Sequence, residues 1–256
     1  MKVRLALVIL IFFSFAGCVS QTVRQDATSS PDAALQAYTQ LGLQYLQAGD
    51  TNNAKQSLQR ALAINERYAP AHNAMGLVFQ YERENALAEE YFKRSTQLDP
   101  NNSMHRNNYG AFLFAQQRYP EACVELQKAA DDPFYSARAQ AFENVGRCYR
   151  MTGRLGQAED AFKRALELNR SRPFAQVELA DLLLDNGNLP EAMQWFDRFR
   201  QMVDNRNAQH SARSLWVGVR IARAERNPSQ AATYGLLLRN LYPDSEEYRL
   251  FRESVN

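Results

Sequence analysis

Apolar and small side chains recur at helical spacing along residues 69–100, and a polar turn divides this stretch into two parts. Gly76 lies in the first part, and Ala88 and Phe92 share one face of the second. Because residues three or four positions apart lie on the same face of a helix, the pattern predicts two short helices. An antiparallel arrangement places the small residues where the two backbones come closest. Pro100 cannot continue the second helix and closes the pair.

The same pattern returns along the chain at a fixed interval. Gly42 lies 34 residues before Gly76, and Gly110 lies 34 residues after it. A constant interval of this length is typical of repeat proteins in which each unit is one helical hairpin. Two extra residues near Pro133 and a longer polar stretch before the last unit interrupt the register. The predicted units are residues 35–68, 69–102, 103–138, 139–172, 173–206 and 211–243, followed by a capping helix over 244–256.

The residue types at these offsets resemble the tetratricopeptide repeat. An aromatic residue, Leu-Gly and a tyrosine mark the first helix, as in Tyr38, Leu41, Gly42 and Tyr45, and Ala, Phe, Ala and Pro mark the second. The resemblance covers roughly residues 35–243. It implies an all-α, right-handed superhelical solenoid of about six helical hairpins with a C-terminal capping helix. One hairpin exposes apolar surface on both flanks, so its neighbours must stack on it.

The first residues have the pattern of an export signal rather than of a repeat. Lys2 and Arg4 precede an apolar run of 11 residues, from Leu5 to Phe15. That run is too short to cross a bilayer and is typical of the central region of a signal peptide. It ends in Phe-Ala-Gly-Cys, with the cysteine at position 18. A plain signal peptide or a core cysteine remains the alternative to lipid attachment.

Small residues before a cysteine at the end of such a run resemble the bacterial lipobox. This resemblance implies a lipoprotein signal peptide over residues 1–17, a lipid on Cys18 and a flexible tether over residues 18–34. Val19 is not acidic. In the sorting rule of such lipoproteins, that residue implies anchoring at the periplasmic face of the outer membrane.

Composition narrows the classes of function. The chain has 256 residues, of which 45% are hydrophobic, and a formal net charge of +2 at pH 7. A near-neutral balance argues against a nucleic-acid partner, which needs a strongly basic face. The sequence has no phosphate-binding loop, no nucleophile elbow and no Cys or His pair at metal-ligand spacing, and its three histidines are His72, His105 and His210. We therefore expect a non-enzymatic protein without cofactor or metal.

Two cysteines lie beyond Cys18. Cys123 falls in the second helix of the third unit and Cys148 in the first helix of the fourth, and both point inward in the repeat register. Antiparallel stacking brings them to a similar height on neighbouring helices, so a disulfide is possible in an oxidising compartment. The alternative is that both are small apolar fillers.

Function is expected on the concave wall formed by the first helix of each unit, because such walls bind extended or helical peptides. In the first three units the wall is apolar or carries amides, which can both donate to and accept from a peptide backbone. The residues expected to bind a peptide are Leu43, Leu46, Gln47, Asn73, Leu77, Gln80, Tyr81, Asn107, Ala111 and Phe114.

The wall changes character in the fourth and fifth units. Most wall side chains there are charged, where the first three units have amides. The wall positions of these two units are Glu143, Arg147, Arg150, Met151, Val177, Asp181 and Asp185. The Lys/Asn/Lys/Arg set of the chaperone-type carboxylate clamp is not found. A C-terminal acidic tail is therefore not the obvious ligand.

Six repeats behind a lipobox, with almost nothing else, resemble the type IV pilus biogenesis and stability lipoproteins of Gram-negative bacteria. The resemblance implies a pilotin, which binds secretin subunits and helps them reach the outer membrane and multimerise. It implies a protein that is monomeric apart from this partner. A general scaffold lipoprotein for outer-membrane protein assembly or cell-wall enzyme complexes is the alternative.

Overall fold

The computed structural model describes residues 30–255, so the signal segment, Cys18 and most of the predicted tether lie outside the described residues. Residues 30–255 form thirteen α-helices and no strand. The helices are α1 Pro31–Gln47, α2 Thr51–Ile64, α3 Ala69–Tyr81, α4 Asn85–Leu98, α5 Ser103–Ala115, α6 Tyr119–Asp131, α7 Arg138–Met151, α8 Leu155–Leu168, α9 Pro173–Asp185, α10 Leu189–Asp204, α11 Ala212–Ala224, α12 Pro228–Leu241 and α13 Glu246–Glu253.

Consecutive helices pair into six hairpins, from α1 with α2 to α11 with α12, and each hairpin packs against the next. The first helices of neighbouring hairpins also meet, as α1 meets α3 and α9 meets α11. Helix α13 contacts α11 and α12 and covers the last hairpin. The predicted all-α solenoid of six hairpins with a C-terminal capping helix is confirmed.

Each hairpin is held at a point where a small residue of the first helix meets a large side chain of the second. A Cβ atom on Gly76 would lie 2.7 Å from the Phe92 ring, so a larger residue would force the two helices apart. Ala180 takes the small position in the fifth hairpin and is fully buried. The glycine contacts are Gly42 with Leu58, Gly76 with Phe92, Gly110 with Leu126, Gly146 with Phe162, and Gly218 with Tyr234.

The turn inside every hairpin contains one residue with a left-handed backbone conformation. Glycine takes this position in three hairpins, at Gly49, Gly153 and Gly187. Residues with side chains take it in the other three, at Arg83, Gln117 and Arg226, with φ near 60°. The turn geometry is therefore common to all six units, although only half of them carry the residue that adopts it most readily.

The structure corrects the predicted start of the first unit. Helix α1 begins at Pro31, and the Ser30 hydroxyl accepts a hydrogen bond from the Ala33 amide at 3.2 Å. A serine cap followed by proline at the first helical position is a strong start signal. Residues 31–34, predicted as the end of the tether, are therefore helical.

Cys123 on α6 and Cys148 on α7 lie at the boundary between the third and fourth hairpins. Both are buried, and their Cα atoms are 5.5 Å apart, which is a usual separation for a disulfide. The structure joins their sulfur atoms. A disulfide at this place crosslinks the third and fourth hairpins.

Candidate functional site

The candidate site is the row of first helices, α1, α3, α5, α7, α9 and α11, which we call the inner wall. Its first half consists of α1, α3 and α5, and its second half of α7, α9 and α11. Side chains one helical turn apart on these helices face the same side, so the wall is a continuous surface built from six units.

Apolar side chains of the first half are partly committed to the core. Leu43, Leu46 and Leu77 are half-buried and pack against the core clusters of the first four hairpins. Gln47 is exposed and Gln80 is half-buried. Tyr81, at the end of α3, is 61% exposed. The most accessible aromatic surface of this half therefore lies near the turn between α3 and α4.

Asn73 and Asn107 do not present their amides to a ligand. They are only 4% and 6% exposed, and their side-chain oxygens accept hydrogen bonds from the next repeat. The Asn108 amide donates to Asn73 Oδ1 at 3.2 Å, and the Asn144 amide donates to Asn107 Oδ1 at 3.0 Å. This corrects the expectation that both residues bind a peptide backbone. They join neighbouring units, because a buried amide must find a partner within the protein.

The junction between the two halves carries a stacked arginine. The Arg147 guanidinium lies over the Phe114 ring at 4.9 Å and over the Phe174 ring at 5.1 Å. Phe114 also packs edge-on against Tyr119, with 5.1 Å between ring centroids. A recess of about 40 Å³ opens here, lined by Ala111, Phe114, Leu126, Asn144 and Arg147. Ala111 and Phe114, both predicted as binding residues, thus share one depression.

The second half of the wall is held by a buried cluster of ions. Asp181 on α9 is 1% exposed and pairs with Arg150 of α7 at 2.6 Å and with Arg213 and Arg220 of α11. Glu178, one turn earlier, pairs with Arg150 and lies 3.4 Å from Arg213. These contacts connect three successive units. The cluster therefore links the second half as the asparagine pairs link the first.

Burial changes how the two acids titrate. Burial raises the pKa of Glu178 to about 7, against the opposing attraction of Arg150. It also raises the pKa of Asp181 above its usual value, against the attraction of Arg220 and Arg150. A buried carboxylate loses hydration, and nearby guanidinium groups restore only part of that stabilisation.

The sequence predicts that Val177, Asp181 and Asp185 lie on the exposed inner wall. Val177 and Asp181 are buried, and only Asp185 is exposed, with its carboxylate 2.5 Å from Arg220. Arg213 and Arg220 stand seven residues apart and therefore lie on one helix face. That spacing was the available signal for a partner to Asp181.

The remaining candidate chemistry is sparse in the described part of the chain. His72 Nε2 lies 2.8 Å from the Glu66 carbonyl, and His105 is fully buried. Burial lowers the pKa of His105 to about 4. Among residues 30–255, no group of three His, Cys, Asp or Glu side chains is placed to hold a metal ion. No helix described here is both long and apolar enough to cross a bilayer.

Comparison with known families agrees with this architecture. Models of the tetratricopeptide repeat match residues 35–68 and 69–102, residues 102–171 and residues 146–207. The type IV pilus assembly protein PilF of Pseudomonas aeruginosa (strain PAO1) is 40% identical over 254 residues, which cover 98% of this chain and 99% of that protein.

Two solved structures extend the similarity to three dimensions. The structure of Pseudomonas aeruginosa PilF has a TM-score of 0.80 at 41% identity and covers 88% of this chain and 99% of its own. The structure of PilW, described as a widely conserved type IV pilus biogenesis factor, has a TM-score of 0.71 at 30% identity. The match covers 85% of this chain and 97% of the PilW chain. The fold and the inner wall define a helical-repeat protein of the class that takes part in protein–protein interactions. The chain belongs to the tetratricopeptide repeat family, and within it to the family of the type IV pilus proteins PilF and PilW.

Proposed function

We propose that this protein is a pilotin of type IV pilus biogenesis. It binds secretin subunits on its inner wall, without catalysing a reaction, and promotes their localisation to the outer membrane and their multimerisation there. The observation that carries the proposal is the similarity to PilF, which extends over 98% of this chain and 99% of the relative. A similarity limited to the repeats would support only a general interaction role.

The proposal includes a lipid anchor on Cys18 that holds the protein at the periplasmic face of the outer membrane. Its support is the order of charges, apolar run, small residues and cysteine in the first 18 residues. Several acyl chains on one residue give stable anchoring, since each buried methylene contributes about 0.8 kcal/mol. The tether between Cys18 and Ser30 then sets the distance of the repeats from the membrane.

The proposal places the bound secretin segment on the first half of the wall and at its junction with the second. Tyr81, Gln47 and Ala111 are exposed there, and Leu77 and Phe114 offer half-buried apolar surface. The ion cluster of the second half is already satisfied by its own groups. A partner segment therefore gains most from the apolar side chains and from the free arginine at the junction.

Deletion of the gene tests the proposal. We expect loss of surface pili in electron micrographs and loss of heat-stable secretin multimers in immunoblots of the outer membrane. The full chain should restore both. A chain in which the signal peptide of a soluble periplasmic protein replaces residues 1–18 should restore neither at the outer membrane, because it lacks the anchor.

A second phenotype separates the proposal from the general scaffold. Secretin multimers that stay normal after deletion, with a defect in outer-membrane protein assembly or cell-wall synthesis instead, would overturn the pilotin assignment. Multimers that form in the wrong membrane would support it. Monomeric secretin that accumulates without multimers would support it as well.

A further inference from the structure

We propose that Arg147, between the rings of Phe114 and Phe174, receives the carboxylate of an aspartate or glutamate side chain within an extended segment of the partner polypeptide. This inference deepens the proposed function and rests on its claim that the inner wall binds a polypeptide. The recess beside Arg147 takes the apolar residue next to that acid.

The first step of the argument is the stacking of Arg147. Its guanidinium carbon lies 4.9 Å from the centre of the Phe114 ring and 5.1 Å from that of Phe174. Cations favour the faces of aromatic rings, and the planar guanidinium stacks on them especially well. Stacking restricts a side chain that is otherwise free to move. The donor fork is therefore pre-organised for a planar acceptor such as a carboxylate.

The second step is charge. Arg147 is exposed, and it makes no ion pair with a carboxylate of residues 30–255. Three other arginines of the second half, Arg150, Arg213 and Arg220, differ from it. Arg150 pairs with Glu178 and Asp181, and Arg213 and Arg220 pair with Asp181. Arg147 is thus the arginine at this junction whose charge awaits an acceptor from outside the described chain.

The third step is the surface around Arg147. Ala111 and Phe114 line the adjoining recess of about 40 Å³, and Leu126 forms part of its lining. These are apolar groups beside a cation. A segment with an acid next to a small or apolar side chain matches both features, because interfaces gain most where an arginine and aromatic residues are desolvated together.

The position of Arg147 along the wall decides the source of the carboxylate. It lies on α7, with α1, α3 and α5 on one side and α9 and α11 on the other. A segment lying along the wall continues past Arg147 in both directions. An acidic side chain inside the segment fits this place, whereas a chain end would leave half of the wall unused.

The first test needs no knowledge of the partner. A phage-displayed library of linear peptides is selected on the full lipidated chain in nanodiscs. We expect enriched peptides to share an internal Asp or Glu beside an apolar residue. Their affinity should fall at least about tenfold for Arg147→Met, which keeps an apolar stem but loses the donors, and less for Arg147→Lys. A selection without enriched peptides, or with peptides that lack an acid, would overturn the inference.

A matched control separates the wall from stacked arginines in general. Arg198 on α10 is exposed and stacks on Trp195 at 4.4 Å, but it lies on a second helix and not on the inner wall. Arg198→Met should leave peptide affinity unchanged. Equal loss in both variants would overturn the inference, as would retained affinity in Arg147→Met. Thermal unfolding of each variant shows that the fold is intact.

The second test uses the purified secretin subunit of the same organism as the probe. If it binds the wild type and loses at least about tenfold with Arg147→Met, the inference and the proposed function are both supported. If it binds both equally, the pilotin role stands and the inference fails. If it binds neither while acidic peptides bind through Arg147, the inference stands and the secretin assignment fails.

Discussion

In the first half of the inner wall, neutral amides join one repeat to the next, whereas in the second half three arginines and two buried acids do so. Asn107 on α5 has one amide partner, Asn144, on the following first helix, α7. Asp181 has partners on both the preceding and the following first helix. The two halves share one backbone plan and differ in the chemistry that connects their units.

Under the proposed function, this difference separates a surface that binds the partner from one that stabilises the array. A neutral hydrogen bond contributes about 1 kcal/mol net, and its loss leaves neighbouring apolar groups in place. In a buried ion cluster the charged groups are already paired with one another, and replacing one of them is strongly destabilising. In the proposed function, the first half and the junction bind the partner, and the second half stabilises the array. Four predictions test this division.

Asp181→Asn should give the largest loss of stability. Asp181 is buried among Arg150, Arg213 and Arg220, so the substitution leaves three cations close together without their shared anion. Removing one partner of a buried ion pair costs about 3–5 kcal/mol. The matched change in the first half, Asn107→Ala, should cost about 1 kcal/mol. Urea unfolding followed by circular dichroism measures both, and equal losses would remove the contrast between the halves.

Removal of the Cys123–Cys148 disulfide should give the second largest loss of stability. Its closure spans a sequence separation of 25, and the chain-entropy model for a loop of that length gives about 3.5 kcal/mol. The double variant Cys123→Ala/Cys148→Ala should lose this amount, and adding reductant should change the wild type but not the variant. Mass analysis without reduction is the direct measurement. Alkylation of both thiols in the unreduced, unfolded chain would show that the bond is absent.

One buried titratable residue in each half, His105 in the first and Glu178 in the second, should make stability depend on pH in opposite directions. The pKa of His105 is about 4 in the folded chain against 6.5 for a free histidine. The unfolded chain thus binds more protons between pH 4 and 6.5, and stability falls as pH is lowered through that range. The pKa of Glu178 is about 7 against 4.5. Here the folded chain holds the proton longer, and stability falls as pH rises from 4.5 to 7.

Single variants reveal each slope. Subtracting the His105→Phe stability curve from that of the wild type should isolate the loss on acidification, and subtracting the Glu178→Gln curve should isolate the loss at higher pH. Each shift corresponds to about 3 kcal/mol at most. Unfolding midpoints measured from pH 4 to 7.5 give both curves. Slopes of the same sign for the two differences would contradict the assignments.

The sequence alone was enough to predict the fold because the repeat signal is local and recurs. Gly76 and Gly110 mark close approaches that any hairpin of this kind needs, so six weak units in register specify one architecture. The start of α1 was missed, although Ser30 and Pro31 carry a start signal. The repeat register began at Leu35, and a cap outside that register has no counterpart in the later units.

The binding wall was predicted less well, for a reason that lies in packing. Asn73 and Asp181 stand at positions that face the wall, but facing it does not make a side chain free. Whether an amide or a carboxylate is open depends on the next unit, which supplies Asn108 or Arg220. Such pairings join residues about one repeat apart, and helical periodicity within one unit does not reveal them.

The smallest effect should come from the turns, where both halves are expected to behave alike. Arg83 in the second hairpin has φ of 64°, and Gly153 in the fourth has φ of 72°. A left-handed conformation costs a residue with a side chain about 1–2 kcal/mol, and glycine loses part of that advantage through chain entropy. Arg83→Gly should therefore stabilise the protein by about 0.5–1 kcal/mol, and Gly153→Ala should destabilise it by about 1 kcal/mol.

A third variant shows whether turn geometry or surface charge causes the gain in stability of Arg83→Gly. Arg83→Ala removes the same cation as Arg83→Gly but keeps the Cβ atom, so it should have almost no stabilising effect. Thermal unfolding at a fixed pH resolves differences of this size. If Arg83→Ala stabilised as much as Arg83→Gly, relief of charge and not of backbone strain would explain the gain. The turns of the two halves could then no longer be treated as one geometry carrying different residues.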